Sequence, residues 1–194
     1  MKLRKDYEDE IKVFGLDLVE FQRKLEYQYK REEKITTIHI FGSHGKEKFK
    51  MVKRKNKVEV VRKKQAKGKL RGKFEHKKKF AKQFDGACTH EQFLELFTEV
   101  MGLPVLYEGI KKRLHYDLGE GVHISIDTWI SGPLHGISYV EVENTNPKKK
   151  VSLSALVLKY KADNCNPRIT RKGTLAITKD LEKGKDLNKC YSII

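Results

Sequence analysis

The sequence predicts an α+β protein built on an eight-stranded antiparallel β-barrel, with a polar, charged lumen and helices packed outside. Three observations predict it. Short stretches alternate with period two along most of the chain, each is charged on one side and apolar on the other, and two stripes of helical period lie between them. Two such sheets cannot stack as a sandwich, because their polar faces would meet without water. Curling the sheet on itself turns the charges inward and leaves the apolar side for helices to cover.

Tyr7 to Val13 sets Glu8, Glu10 and Lys12 against Tyr7, Ile11 and Val13. Gly15 ends this strand, and Asp17 is an N-cap for a helix to about Arg31, with Leu18, Phe21 and Leu25 at helical spacing. Thr36 to Phe41 alternates again. Lys48 to Arg54 and Val58 to Gln65 form a hairpin that turns near Lys55 and Asn56, followed by a strand from Lys69 to about His76. Thr89 caps a helix whose stripe is Phe93, Leu94, Phe97 and Met101, stopped by Gly102 and Pro104. Strands at Glu108 to Tyr116, Val122 to Thr128 and Ser138 to Asn144 set Ile110 and Leu114, Ile124 and Ile126, and Val140 and Val142 against charged or polar neighbours. Val151 to about Ala162 forms a covering helix. Residues 163–194 carry little apolar periodicity, so they are expected to be a tail on a single domain whose core spans about 6–162.

At 194 residues, with 42 basic against 26 acidic side chains and a net charge of +16, the chain suits one domain with a polyanionic partner such as a nucleotide, a polyphosphate or nucleic acid. Cys88, Cys165 and Cys190 lack CxxC spacing, which points to free thiols in a reducing compartment. With neither an apolar leader core nor an apolar run long enough to span a bilayer, the expected location is the cytoplasm, away from membranes. Oligomeric state is left open between monomer and homodimer.

The charges divide along the barrel. Acids gather on the first, seventh and eighth strands, where Glu8, Glu10, Asp127, Glu141 and Glu143 offer the hard oxygen donors that Mg²⁺ or Mn²⁺ takes. Lys12, Lys50, Arg54, Lys63, Arg71, Lys111 and Arg113 offset the charge of a bound polyphosphate and stabilise charge on a transferring phosphoryl group. Trp129 is expected to pack at a strand end, and His39, His115 and His123 to be hydrogen-bonded structural residues.

The ExExK spacing of Glu8, Glu10 and Lys12, the KxRxxY pattern of Lys111, Arg113 and Tyr116, and the later Asp127-Thr128-Trp129 and Glu141-Val142-Glu143 resemble the CYTH superfamily of triphosphate tunnel metalloenzymes, in the same order. The resemblance covers roughly residues 6–144 and departs from the family pattern in the middle, where its LRxR element is matched only loosely by Phe49 to Arg54. It implies an eight-stranded tunnel that binds triphosphate end-on. Glu8, Glu10 and Lys12 would be catalytic, with Glu8 and Glu10 on a metal, Asp127, Glu141 and Glu143 completing the acidic side, and Lys111 and Arg113 gripping phosphate. The implied substrates are inorganic triphosphate, a nucleoside triphosphate or an RNA 5′ end. The expected activity is a metal-dependent triphosphatase. Two other readings stand beside it: a class IV-type adenylyl cyclase making cyclic AMP and diphosphate from ATP, and a non-catalytic nucleotide or polyphosphate binder.

Overall fold

The computed structural model describes residues 4–26, 29–42, 48–54, 57–65, 73–79 and 90–194, with side chains over 7–26, 50–53, 91–92 and 94–194. In chain order the elements are β1 (Arg4–Phe14), α1 (Leu18–Lys24), β2 (Tyr29–Gly42), β3 (Lys48–Arg54), β4 (Lys57–Gln65), β5 (Lys73–Lys79), α2 (His90–Glu95, continuing as a wider π turn over Leu96–Val100) and β6 (Val105–Asp117). They continue with β7 (Val122–Trp129), β8 (Ser138–Asn144), α3 (Leu153–Tyr160), β9 (Arg168–Thr170), α4 (Thr174–Glu182) and β10 (Ser192–Ile193). The class is α+β, as the alternation predicts. Arg71 and the Thr89 cap lie outside the described residues.

All strands join one antiparallel sheet in the order β10-β9-β1-β5-β4-β3-β2-β6-β7-β8, and β1 also pairs with β8. β1 divides its partners along its length: Arg4 to Glu8 pair with β5, Asp9 to Val13 with β8, and Lys12 to Phe14 with β9. The strand order therefore returns to β1.

Ten strands are present among the described residues where the sequence predicts eight. The two additional ones, β9 and β10, come from the segment expected to be a tail, and α4 lies between them. Leu175 and Ile177 of α4 are buried with Leu187 and Tyr191 in a cluster that includes Phe14, Tyr107, Trp129 and Tyr139. Burial of such side chains is worth roughly 1.5–3 kcal/mol each, which is why this segment is an integral part of the fold.

The first helix is shorter than expected. Asp17 caps it by accepting from the backbone of Val19 and Glu20 at 3.1 and 3.0 Å, and it buries Phe21 before ending at Leu25. β2 takes up the chain at Tyr29, well before the Thr36 start that alternation gives, because it pairs with the whole of β6. A register shift between Ile35 and Ile38 breaks its period, which hides the first half of the strand from a period-two reading.

The two sides of the sheet have separate cores. Ile11, Val13, Ile124, Ile126, Val140 and Val142 form the apolar side, covered by Phe21 of α1 with its C-cap Leu25 and by Leu153, Val157 and Tyr160 of α3. α3 is capped by Ser152, which accepts from the Ala155 backbone at 3.3 Å. The other side carries the charges, and its Phe14 end is the part sealed by α4. Among the described residues no helix is long and apolar enough to cross a membrane.

Candidate active site

Antiparallel register places directly opposed residues on the same face. On the charged side this produces rows across β6, β7, β8 and β1. Asp117, His123, Glu143 and Glu10 form one; His115, Ser125, Glu141 and Lys12 the next; Arg113, Asp127 and Tyr139 the third; Lys111 and Trp129 the last. Residues far apart in sequence thus meet because each strand keeps strict alternation.

These charges are not on a wetted surface. Glu8, Glu10, Lys12, Lys111, Asp127 and Glu141 are all more than nine-tenths buried, and Asp127 is completely so. Burying charge is tolerable only with paired and hydrogen-bonded partners, and the described contacts supply them for Glu10, Lys12, Lys111, Asp127 and Glu141. Lys12 Nζ lies 3.0 Å from both Glu10 Oε1 and Glu141 Oε2. Arg113 donates from Nε to Asp127 Oδ1 at 2.6 Å, and from Nη2 to Asp127 Oδ2 and Glu141 Oε1, each at 2.7 Å. Lys111 Nζ also bonds Asp127 Oδ2.

The network sets protonation. Burial alone would push the Glu141 carboxyl up, but the charges of Lys12, Arg113 and Lys111 more than reverse that and hold it well below the usual carboxylate range. Asp127 is lowered in the same way, burial being outweighed by Arg113 and Lys111. Lys111 is lowered, chiefly by burial and by the neighbouring Arg113 charge. Arg113 stays charged, its burial outweighed by Asp127 and Glu141.

At the sealed end the charges give way to aromatic rings. Tyr107 and Trp129 meet edge to face with centroids 5.4 Å apart, and Lys111 Nζ stands 5.4 Å from the Trp129 ring centroid. Gly109 makes this possible: a methyl group there would lie 2.7 Å from Tyr107 Oη and 3.0 Å from Trp129 Cζ3. Nearer the open end, His115 and His123 lie with ring centroids 5.0 Å apart, and His115 Nδ1 is 3.1 Å from Ser125 Oγ.

Glu10, Lys12, Lys111, Arg113, Asp127 and Glu141 form this cluster, with Glu8 further along β1 and the half-buried Glu143 opposite Glu10. Lys50 is half-buried on β3, opposite Ile40 and Val61 and separated from β6 by β2. The backbones of Arg54 and Lys63 stand opposite Lys57 and Lys48, and their side chains lie outside the described residues. Tyr139 is the residue that sequence reasoning passes over. Its signal was there, two places before Glu141 in the alternation Tyr139-Val140-Glu141-Val142-Glu143.

The donor set suits a hard divalent cation in its chemistry, carboxylate oxygens being what Mg²⁺ and Mn²⁺ prefer. Among the described residues no three acidic, histidine or cysteine side chains converge for a metal. The ion pairs account for part of that, since both oxygens of Asp127 and of Glu141 accept from bases.

No protein-family model and no curated protein matches the sequence. Solved structures do match. A conserved hypothetical protein from Pyrococcus furiosus superposes with a TM-score of 0.63 at 18% identity, over 87% of this chain and 98% of that one. A Hippeastrum protein, described as a putative adenylyl cyclase with a dominant triphosphatase activity, gives 0.56 at 12% identity, over 96% and 100%. A putative adenylate cyclase from Bacillus halodurans gives 0.55 at 12% identity, over 89% and 97%. The fold is CYTH-like. At 96% coverage the CYTH-like likeness takes in most of residues 163–194, which agrees with the packing of α4 against the sheet.

Proposed function

We propose that this protein is a divalent-metal-dependent triphosphatase of the cytoplasm, a single domain that removes the terminal phosphate of a triphosphate inside an eight-stranded tunnel. The substrate is inorganic triphosphate, a nucleoside triphosphate or an RNA 5′-triphosphate. The observation that supports it best is the buried network in which Arg113 joins Asp127 and Glu141 while Lys12 joins Glu10 and Glu141. A fully paired charge cluster is a poor stabilising device compared with apolar packing, so its presence on an enclosed face suits a site that exchanges internal partners for a ligand.

On this reading the bases turn to phosphate oxygens when substrate enters. Arg113 presents a planar fork suited to phosphate, and Lys12 and Lys111 add point charges that offset the charge of the leaving diphosphate. Glu8, Glu10 and Glu143 would hold Mg²⁺ or Mn²⁺, with Asp127 and Glu141 completing the acidic side. The metal, when bound, polarises the phosphoryl oxygens and lowers the pKa of a water. Lys50, Arg54, Lys63 and Arg71 extend the phosphate side.

Product analysis tests the proposal. Purified protein is incubated with Mg²⁺ or Mn²⁺ and inorganic triphosphate, ATP or 5′-triphosphorylated RNA, with the Glu8→Ala/Glu10→Ala variant as control. Metal-dependent orthophosphate release that the variant lacks is expected. Cyclic AMP with diphosphate from ATP would replace the proposal with a cyclase, and tight binding without turnover would replace it with a binder.

A further inference from the structure

Tyr139 brings a hydroxyl to the charged cluster. It lies on β8 directly opposite Asp127 of β7, it is 1% exposed, and among the described residues its Oη has no hydrogen-bond partner. A tyrosine hydroxyl carries one O–H, so an unpartnered Oη here is a donor inside the site. Two more donors of the same buried cluster, Tyr107 Oη and Trp129 Nε1, are likewise unpartnered among the described residues.

Buried donors are nearly always satisfied, so three at one end of a well-paired site call for an acceptor. An aromatic or aliphatic group would cover them and leave them unbonded. A phosphoryl group brings several acceptor oxygens, and Lys111 and Arg113 stand in the same two rows as Trp129 and Tyr139. Leu175, Ile177, Leu187 and Tyr191 are buried in the cluster at this end, whereas Asp117 and His123 at the other are partly exposed.

We propose that Tyr139 is a substrate-contacting residue whose hydroxyl donates to a non-bridging oxygen of the innermost phosphoryl group, so that the sealed end accepts phosphate and excludes an organic group. This rests on the triphosphate reading above and adds to it a residue.

The test is Tyr139→Phe, which removes only the hydroxyl. Tyr116→Phe is the control, because Tyr116 Oη is equally buried and unpartnered among the described residues but belongs to the apolar side. Melting temperature without ligand and affinity for inorganic triphosphate with Mn²⁺ are measured for both variants and for the wild type. Tyr139→Phe is expected to melt at or above the wild-type temperature and to bind triphosphate at least about tenfold more weakly, with KM raised to match. Tyr116→Phe is expected to bind as the wild type does. Unchanged affinity in Tyr139→Phe, or a lower melting temperature with unchanged affinity, overturns the inference and leaves the triphosphatase standing. A wild-type protein that binds no triphosphate overturns both.

Discussion

Lys12 and Glu141 face each other across β1 and β8 with Nζ 3.0 Å from Oε2, and both are more than nine-tenths buried. Glu141 is held on its other oxygen by Arg113, so one carboxylate ties three strands together. Lys12→Ala removes one of its two described cations and leaves Glu10 without its amine. Destabilisation of about 3–5 kcal/mol is expected, the range for breaking a buried pair. A Lys12→Met/Glu141→Leu double variant should recover part of it, because apolar replacement removes both charges together. Urea unfolding of the three proteins checks this.

Stability should be insensitive to pH until strongly acid conditions. Glu141 and Asp127 have folded pKa values below their ordinary values of 4.5 and 3.8, and a depressed pKa gives stabilisation that is fully present above the unfolded value. That stabilisation is lost as pH falls through the folded value. Urea midpoints followed from about pH 7 to about pH 2 should hold steady and then drop below the ordinary carboxylate range. Glu141→Gln, which cannot ionise, should give a shallower acid limb.

The charged face was legible because its signal is local. Glu8, Glu10 and Lys12, or Lys111 and Arg113, declare themselves by alternation within a few residues. What alternation cannot carry is partner choice: that Arg113 would reach both Asp127 and Glu141 depends on the order of β6, β7 and β8. The same limit explains the C-terminal segment. Thr174–Glu182 has weak helix formers at Thr174, Ile177 and Thr178, and its place in the fold comes from burying Leu175 and Ile177 in the cluster that includes Trp129 and Tyr139. Half of β2 escaped because a bulge breaks the period on which strand reading depends.

Gly109→Ala should disturb the sealed end while sparing the rest. The added methyl would collide with Tyr107 Oη and the Trp129 ring, which carries the only indole of the chain. Overpacking of this kind costs about 1–3 kcal/mol. Because Lys111 sits over that ring, a shift in tryptophan fluorescence should accompany a fall in turnover of triphosphate. An unchanged emission spectrum with wild-type turnover would show that the close approach is dispensable.

Asp180 anchors the α4 seal. It is buried and accepts from Lys172 at 2.5 Å, Lys185 at 2.8 Å and Tyr191 Oη at 3.0 Å, and the three hydrogen bonds hold its carboxyl well below the ordinary range. Both lysines are nearly half exposed, so solvent screens their share. Asp180→Ala should cost about 1–2 kcal/mol, mainly through the unsatisfied Tyr191 hydroxyl. Hydrogen exchange should rise in α4 and around residues 185–191 before it rises in β7 or β8.

Glu10 and Glu143 stand directly opposite each other on β1 and β8, a register in which like charges repel. A divalent cation held by these carboxylates would offset both charges beyond what Lys12 supplies, and this gives the metal assignment a test that does not depend on catalysis. Mn²⁺ at about 100 times its dissociation constant stabilises a folded protein by roughly 2.7 kcal/mol. In a chain of this size each kcal/mol moves the melting temperature by about 2–4 °C, so a rise of about 5 °C or more is expected for the wild type. Glu10→Gln/Glu143→Gln removes the opposed charges while keeping the side-chain shape. It should lose the Mn²⁺ shift. If Mn²⁺ raises both proteins equally, the ion binds elsewhere and these two carboxylates are not its ligands. A wild-type protein indifferent to Mg²⁺ and Mn²⁺ with inorganic triphosphate present would remove the metal from the proposed chemistry altogether.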